Sequence, residues 1–315
     1  DQSNFYVPTQ KKKLNESLSV QGVKSINLPL GEIKISRKVD TLTVIFRSCT
    51  NVNMLTQNKK RLFEEIKSEY TFRSLNSLIT SINHAKLSLP NISYEIIIID
   101  HDSKKEDLEK MKKILKKANI NNSIISLDLN EFNNQIKKIN EKNEPVTKNQ
   151  LSNMSNIYKS LMIAKNSCDD LIYFVEDDYL HKKEAIEEML FSYERISSQT
   201  NKELIMCPAD YPYLYTKLEN TRIFLGFKKH WRMVDESLCT FLTSKIILLK
   251  YWDKFISMCE YEHYPFEKPL HDIYKSEYCI SPLPSIAMHC TNINSVYGLP
   301  PTLDWKEIWE ENKNY

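Results

Sequence analysis

The residues with the clearest chemical potential form two acidic clusters, each directly after an apolar run. Asp100 and Asp102, in Asp100-His-Asp102-Ser103, follow Tyr94-Glu-Ile-Ile-Ile-Ile99. Glu176, Asp177 and Asp178 follow Leu171-Ile-Tyr-Phe-Val175. Three consecutive carboxylates raise one another's pKa unless a cation lies among them. A hard divalent ion such as Mg2+ or Mn2+ takes oxygen ligands and relieves that repulsion. It also bridges protein to phosphate oxygens and acts as a Lewis acid for a phosphate leaving group. The plainer reading of the triplet is a turn before a helix, where the dipole favours acids. The plainer reading of Asp-x-Asp-Ser is turn and cap chemistry, with Ser103 and Glu106 spelling a capping box.

The clusters need elements to carry them. Leu42-Thr-Val-Ile-Phe46, Tyr94 to Asp100 and Leu171 to Val175 read as strands, and Ser123 to Leu129 as another. The unbroken apolar runs suit strands buried on both faces, as in a parallel sheet. Helices are expected over 57–87 (with a break around Tyr70 to Ser74), after Ser103, over Leu151 to Leu161, after His181, and over 244–259. This alternation from 42 to 207 predicts an α/β fold with a mostly parallel sheet. Residues 1–38 read as a polar extension with one short strand near Ile33, and 39–207 as the α/β half. Residues 208–315 read as a smaller, mixed, proline-punctuated half on the same sheet, ending in a short helix docked by Trp305 and Trp309. In open sheets of this kind ligands bind beyond the carboxyl ends of the strands, which puts both acidic clusters on one rim.

Composition narrows the chemistry. The 315 residues include only 4 glycines, at Gly22, Gly31, Gly226 and Gly298. None has the spacing of a phosphate-cradling glycine loop. A net charge of +2 gives no overall field for nucleic acid. The Lys-rich stretches at Lys11 to Lys13 and Lys104 to Lys117 read as solvated tail and helix face. Seven scattered cysteines without a C-x-x-C pair point to a reducing compartment. No stretch approaches the ~20 apolar residues of a membrane span.

Taken together, Val44-Ile-Phe-Arg-Ser48, the strand ending Asp-x-Asp-Ser and the later strand ending in an acidic triplet resemble a GT-A-type glycosyltransferase of the bacterial family-2-like group. The resemblance covers roughly residues 40–290. It implies a GT-A-like fold, a nucleotide-sugar-binding Rossmann-like mixed sheet with a smaller acceptor-side half. It implies a metal-dependent enzyme moving a sugar from a nucleotide-diphosphate donor to a glycan or other hydroxyl acceptor, without nucleic acid. A cytoplasmic location is expected with it, compatible with peripheral membrane association. Arg47, Ser48, Asp100 and Asp102 would hold the nucleotide, and Glu176 and Asp177 the sugar diphosphate. Asp178 and a late histidine, His289, would ligate Mn2+ or Mg2+. Asp272, in His271-Asp272, would be the catalytic base, with Asp235 and Glu236 as competitors. Trp231, Tyr211, Tyr213 and Tyr215 would suit sugar stacking or core packing equally. The alternatives are a nucleotidyltransferase acting on sugar phosphates and a catalytically inactive carbohydrate-binding protein of the same fold.

Overall fold

The computed structural model describes residues 24–27, 31–51, 61–216 and 220–315. Most of the expected extension, with Lys11 to Lys13, lies outside these residues, as does the start of the helix expected from residue 57. A short antiparallel pair, β1 (Lys24–Asn27) and β2 (Gly31–Lys34), precedes the main body.

The main sheet has nine strands. In chain order they are β3 (Thr41–Ser48), β4 (Ser93–Asp100), β5 (Asn121–Ser126), β6 (Leu171–Glu176), β8 (Leu204–Met206), β9 (Ile223–Leu225), β10 (His230–Met233), β11 (Phe241–Ser244) and β12 (Tyr278–Leu283). Across the sheet they run β5-β4-β3-β6-β11-β8-β12-β10-β9. β3 to β6 are mutually parallel, and β11 is inserted antiparallel between β6 and β8. β12 returns parallel to β8, and β10 and β9 close the edge antiparallel. A second, two-stranded sheet pairs β7 (Tyr179–His181) with β13 (Ala287–His289).

The helices are α1 (Lys67–Ser88), α2 (Lys105–Leu115), α3 (Lys148–Ser167), α4 (Ala185–Thr200), α5 (Lys245–Lys250), α6 (Trp252–Glu260), α7 (Lys268–Tyr274) and α8 (Trp305–Glu311). α3 starts at a true capping box, with Thr147 and Gln150 bonded reciprocally. α2 does not. Its N-cap is Lys104, and the Ser103 hydroxyl is turned to Asp100 instead. α1 runs unbroken through 70–74, because Tyr70, Phe72 and Leu75 are all buried there and tertiary packing outweighs local propensity. The helix expected over 244–259 is divided at Tyr251 into α5 and α6.

The central strands are apolar on both faces because helices cover both. Leu42, Val44, Ile45 and Phe46 of β3 are all fully buried, as are Ile96, Ile98 and Ile99 of β4. One continuous core reaches from Val39 to Ala287, so both parts of the chain share it. A smaller cluster of Tyr70, Leu180, Met288, Cys290, Leu303, Ile308 and Trp309 fastens α8 over the two-stranded sheet. Phe63 stacks on Trp309 at 4.2 Å, so the tryptophan serves docking. Buried serines on α1 fix the stretch of chain just after the acidic triplet. Ser77 Oγ accepts from the His181 amide at 3.0 Å and Ser81 Oγ from the Ile186 amide at 2.8 Å. Gly226 and Gly298 are required to be small, because a Cβ would lie 2.4 Å from Cδ1 of the buried Trp231 at the first and 2.3 Å from the Ile293 carbonyl oxygen at the second.

Candidate active site

β3, β4 and β6 end at the same level. Their register places Ser48 opposite Asp100 and Arg47 opposite Glu176. Both acidic clusters therefore share one rim at the carboxyl ends of the parallel strands, where an α/β sheet binds its ligands.

Asp100 is 4% exposed and spends its oxygens on the rim itself. Oδ1 accepts from Ser48 Oγ at 2.6 Å and from Ser103 Oγ at 2.5 Å, and Oδ2 accepts from the Ser103 amide at 3.3 Å. Burial raises its pKa, against the lowering effect of the Ser103 and Ser48 bonds. Ser48 is thus a partner of Asp100. Asp102 is the acid that projects. It adopts the left-handed conformation at φ 59°, which turns its side chain out of the strand, with Lys148 Nζ 3.9 Å away. Between the two acids, His101 Nδ1 lies 2.7 Å from Ser152 Oγ.

Each member of the triplet has its own protein partner. Glu176 Oε1 is 3.1 Å from Nη2 of Arg47, whose Nη1 also donates to Asn153 at 2.9 Å. Asp177 Oδ1 is bound by Lys67 Nζ at 2.5 Å. Its Oδ2 accepts from Thr71 Oγ1 at 2.9 Å and from the Cys49 amide at 3.2 Å. Asp178 Oδ2 faces His289 Nε2 at 3.3 Å. The pairing β7–β13 sets His289 opposite Tyr179, the residue after Asp178, and the Tyr179 ring stacks on the imidazole at 5.0 Å. Burial acts to raise the Asp178 pKa, but His289 and Lys67 outweigh it and hold the carboxyl well below its ordinary range.

Protein side chains supply part of the cationic charge that the triplet calls for. Arg47 and Lys67 neutralise two of the three acids permanently. Arg47, expected on the nucleotide, is 6% exposed and committed to Glu176 and Asn153. Asp177, expected on the sugar diphosphate, has both oxygens occupied by protein donors.

Asp272 does not join the cluster among the described residues. It pairs with Lys275, the C-cap of its own helix, and faces Lys254 of α6 at 3.9 Å. Glu267, the N-cap of α7, is the acid there that meets Cys239, one residue before Thr240, whose hydroxyl bonds Glu176. Glu267 and Asp272 are five positions apart, which turns them about 140° from each other around a helix. Glu267 Oε1 accepts from Cys239 Sγ at 3.7 Å. The Cys239 thiol is pushed up by burial first, then by the charges of Glu267 and Glu176, so both acids flank it. Glu236 receives the Tyr297 hydroxyl, and Tyr297 also feels Glu267. Glu267 thus contacts Cys239, and Glu236 contacts Tyr297. Sequence reading passed over Glu267 and Lys67, since neither stands in a motif. The buried Trp231, Tyr211 and Tyr213 are core residues, and Trp231 Nε1 donates to Glu188 at 3.1 Å. Tyr215, 55% exposed, carries Arg232 over its ring.

The fold is α/β: parallel strands deliver two acidic turns to one rim, and a smaller mixed half continues the same sheet. No protein-family model matches the chain, and no curated protein matches it. Among solved structures it is similar to both glycosyltransferases and nucleotidyltransferases. TarS of S. aureus is 14% identical at a TM-score of 0.37, over 67% of this chain and 29% of that one. UTP-bound UGPase from Acinetobacter baumannii is 10% identical at 0.44, over 87% and 92%. The bifunctional glycosyltransferase WbbM is 11% identical at 0.38, over 70% and 34%. The chain thus spans about a third or less of the two glycosyltransferases. No helix among the described residues is long and apolar enough to cross a membrane.

Proposed function

We propose that the protein is a glycosyltransferase that moves a sugar from a nucleotide-diphosphate donor to an acceptor hydroxyl, with Asp178 and His289 as the ligands of a divalent cation. The observation that carries this reading is the Asp178–His289 pair on the strand rim, 3.3 Å apart. Glu176 and Asp177 are bound to permanent cations, whereas Asp178 faces an imidazole, with Thr291 also bonded to it, and a neutral imidazole is itself a metal ligand. The carboxylate oxygen suits Mg2+ or Mn2+, and the ring nitrogen tilts the pair toward a first-row transition ion such as Mn2+. No cage of three or more acidic, histidine or cysteine ligands occurs among the described residues. Two protein donors still fit the need, since such ions take few side chains and complete their shell with water and substrate phosphates. When bound, the cation would offset charge on the departing diphosphate.

The remaining residues have separable tasks. Asp102 projects from the first acidic turn toward the nucleotide, held by an Asp100–Ser48–Ser103 network beneath it. In an inverting transfer the acceptor oxygen bonds to the sugar carbon as the carbon–oxygen bond to phosphate breaks. The electron pair leaves on the phosphate oxygen, and the acceptor proton passes to a carboxylate. Glu267, which contacts Cys239, takes that role in place of Asp272. Glu267→Gln is expected to slow transfer about a hundredfold, the lower range for loss of a general base. Asp272→Asn, on the lysine-bound face, should stay within about twofold. A normal rate for Glu267→Gln in a single-turnover assay, or an equal loss in Asp272→Asn, would reject the assignment.

The reading as a whole is tested by thermal unfolding with a panel of nucleotide sugars and Mn2+, because a ligand that binds only the folded state raises its stability. The stabilising donor is then incubated with hydroxyl acceptors. Release of nucleoside diphosphate is the expected product. Pyrophosphate would instead identify nucleotidyl transfer, and no stabilisation by any donor would remove the proposal.

A further inference from the structure

Segment 61–63 brings a third basic side chain to the rim. It is docked on two sides. Arg61 bridges antiparallel to Thr291, and the Leu62 amide donates to the Cys290 carbonyl at 3.0 Å, directly after His289. On the other side, the Phe63 amide donates to the Tyr70 hydroxyl at 2.7 Å, and Phe63 packs between Trp305 and Trp309. The small hydrophobic cluster under α8 therefore fixes where Arg61 lies.

The Arg61 guanidinium sits over the Tyr70 ring at 5.2 Å, and Nη1 donates to the Glu65 carbonyl at 3.1 Å. Its other edge is different. Nε and Nη2 are both shut off from solvent and have no hydrogen-bond partner among the described residues. Asp178 and Asp177 both act electrostatically on this guanidinium, and Arg61 in turn acts on Lys67, so all four belong to one charged group. Within it, Asp177 is spent on Lys67 and Asp178 faces His289. The Nε/Nη2 edge is the fork that binds two oxygens of a phosphate or carboxylate at once. A buried donor pair left unmade is costly, which is the condition for a site completed by its ligand.

We infer that Arg61 binds the diphosphate of the donor through its Nε/Nη2 fork, as a second phosphate anchor separate from the Asp178–His289 pair. This rests on the donor reading above and adds a residue to it. Arg61 then donates to the oxygens that gain charge as the bond to the sugar breaks.

The experiment measures binding of UDP, GDP, CDP and ADP, each beside its nucleoside, and of inorganic pyrophosphate, by calorimetry, with Mn2+ and with EDTA. Wild type is compared with Arg61→Ala and Arg61→Lys, and thermal unfolding of each variant without ligand confirms folding. Arg61→Ala is expected to weaken the preferred diphosphate and pyrophosphate by about 10- to 100-fold while leaving the nucleoside unchanged. Arg61→Lys should recover only part of the loss, since it restores charge without the fork. The loss should persist in EDTA. Diphosphate binding within twofold of wild type in a folded Arg61→Ala overturns the inference, as does a loss seen only with Mn2+, which would place the effect on Asp178. Pyrophosphate binding that depends on Arg61, with no nucleoside diphosphate bound, would keep the anchor and reject the donor reading. Binding of neither rejects both.

Discussion

Asp178→Asn is expected to reduce sugar transfer by about a thousandfold, the upper range for removing one preorganised group that stabilises developing charge. The substitution keeps the shape of the side chain and one acceptor oxygen, replaces the other oxygen with an NH2 donor, and removes the charge. The loss should therefore appear in turnover and in Mn2+ affinity, with the folded state preserved. The prediction is specific to this member of the triplet. Glu176 is held by Arg47 and Asp177 by Lys67, Thr71 and the Cys49 amide, whereas Asp178 faces an imidazole. Turnover, Mn2+ titration and thermal unfolding on the same preparation separate the possibilities. Full transfer activity and unchanged donor binding with Mn2+ present would exclude Asp178 as the ligand.

Lys67→Met should act on the fold. Lys67 and Asp177 are each only 11% exposed at the side chain, and they form an ion pair beneath the rim. Such a pair adds little net stability compared with apolar residues, but removing one partner strands a buried charge. The expected cost is about 3–5 kcal/mol, read as a fall in the urea midpoint. Adding Asp177→Asn to the lysine variant removes the stranded charge and should restore much of the loss. The two substitutions would then be strongly non-additive, as neighbours in one network are. A lysine variant as stable as wild type, or costs that simply add, would show that the pair is not coupled as drawn. The first prediction concerns chemistry at an intact fold and the second concerns the fold beneath that chemistry, so the two together separate Asp178 from Asp177.

Much of the scaffold was legible because its signals are local. The apolar runs Leu42 to Phe46, Tyr94 to Ile99 and Leu171 to Val175 are strands β3, β4 and β6, and their parallel pairing agrees with burial on both faces. The position of α3 was set by its apolar spacing. Boundaries depending on tertiary choice were not legible. Ser103 could cap a helix or bind Asp100, and the buried carboxylate, which needs donors more than a solvated helix end does, takes it. The division of 244–259 at Tyr251 and the antiparallel insertion of β11 likewise depend on packing against distant strands.

The candidate site divides in the same way. Sequence alone determined that two acidic clusters end apolar strands, and in a parallel sheet this placed Asp100, Asp102 and Glu176 to Asp178 on one rim. It also selected His289 as the late histidine to test. Only the tertiary structure decided which acids are already neutralised and which are left to act. Arg47, Lys67 and His289 reach the triplet from three separate parts of the chain, and Glu267 meets Cys239 while Asp272 is paired with lysines. The physical reason is one of range. A strand is specified by neighbours two residues apart, whereas the charge state of a carboxylate is specified by whatever cation the fold brings within a few ångströms, regardless of how much chain lies between them.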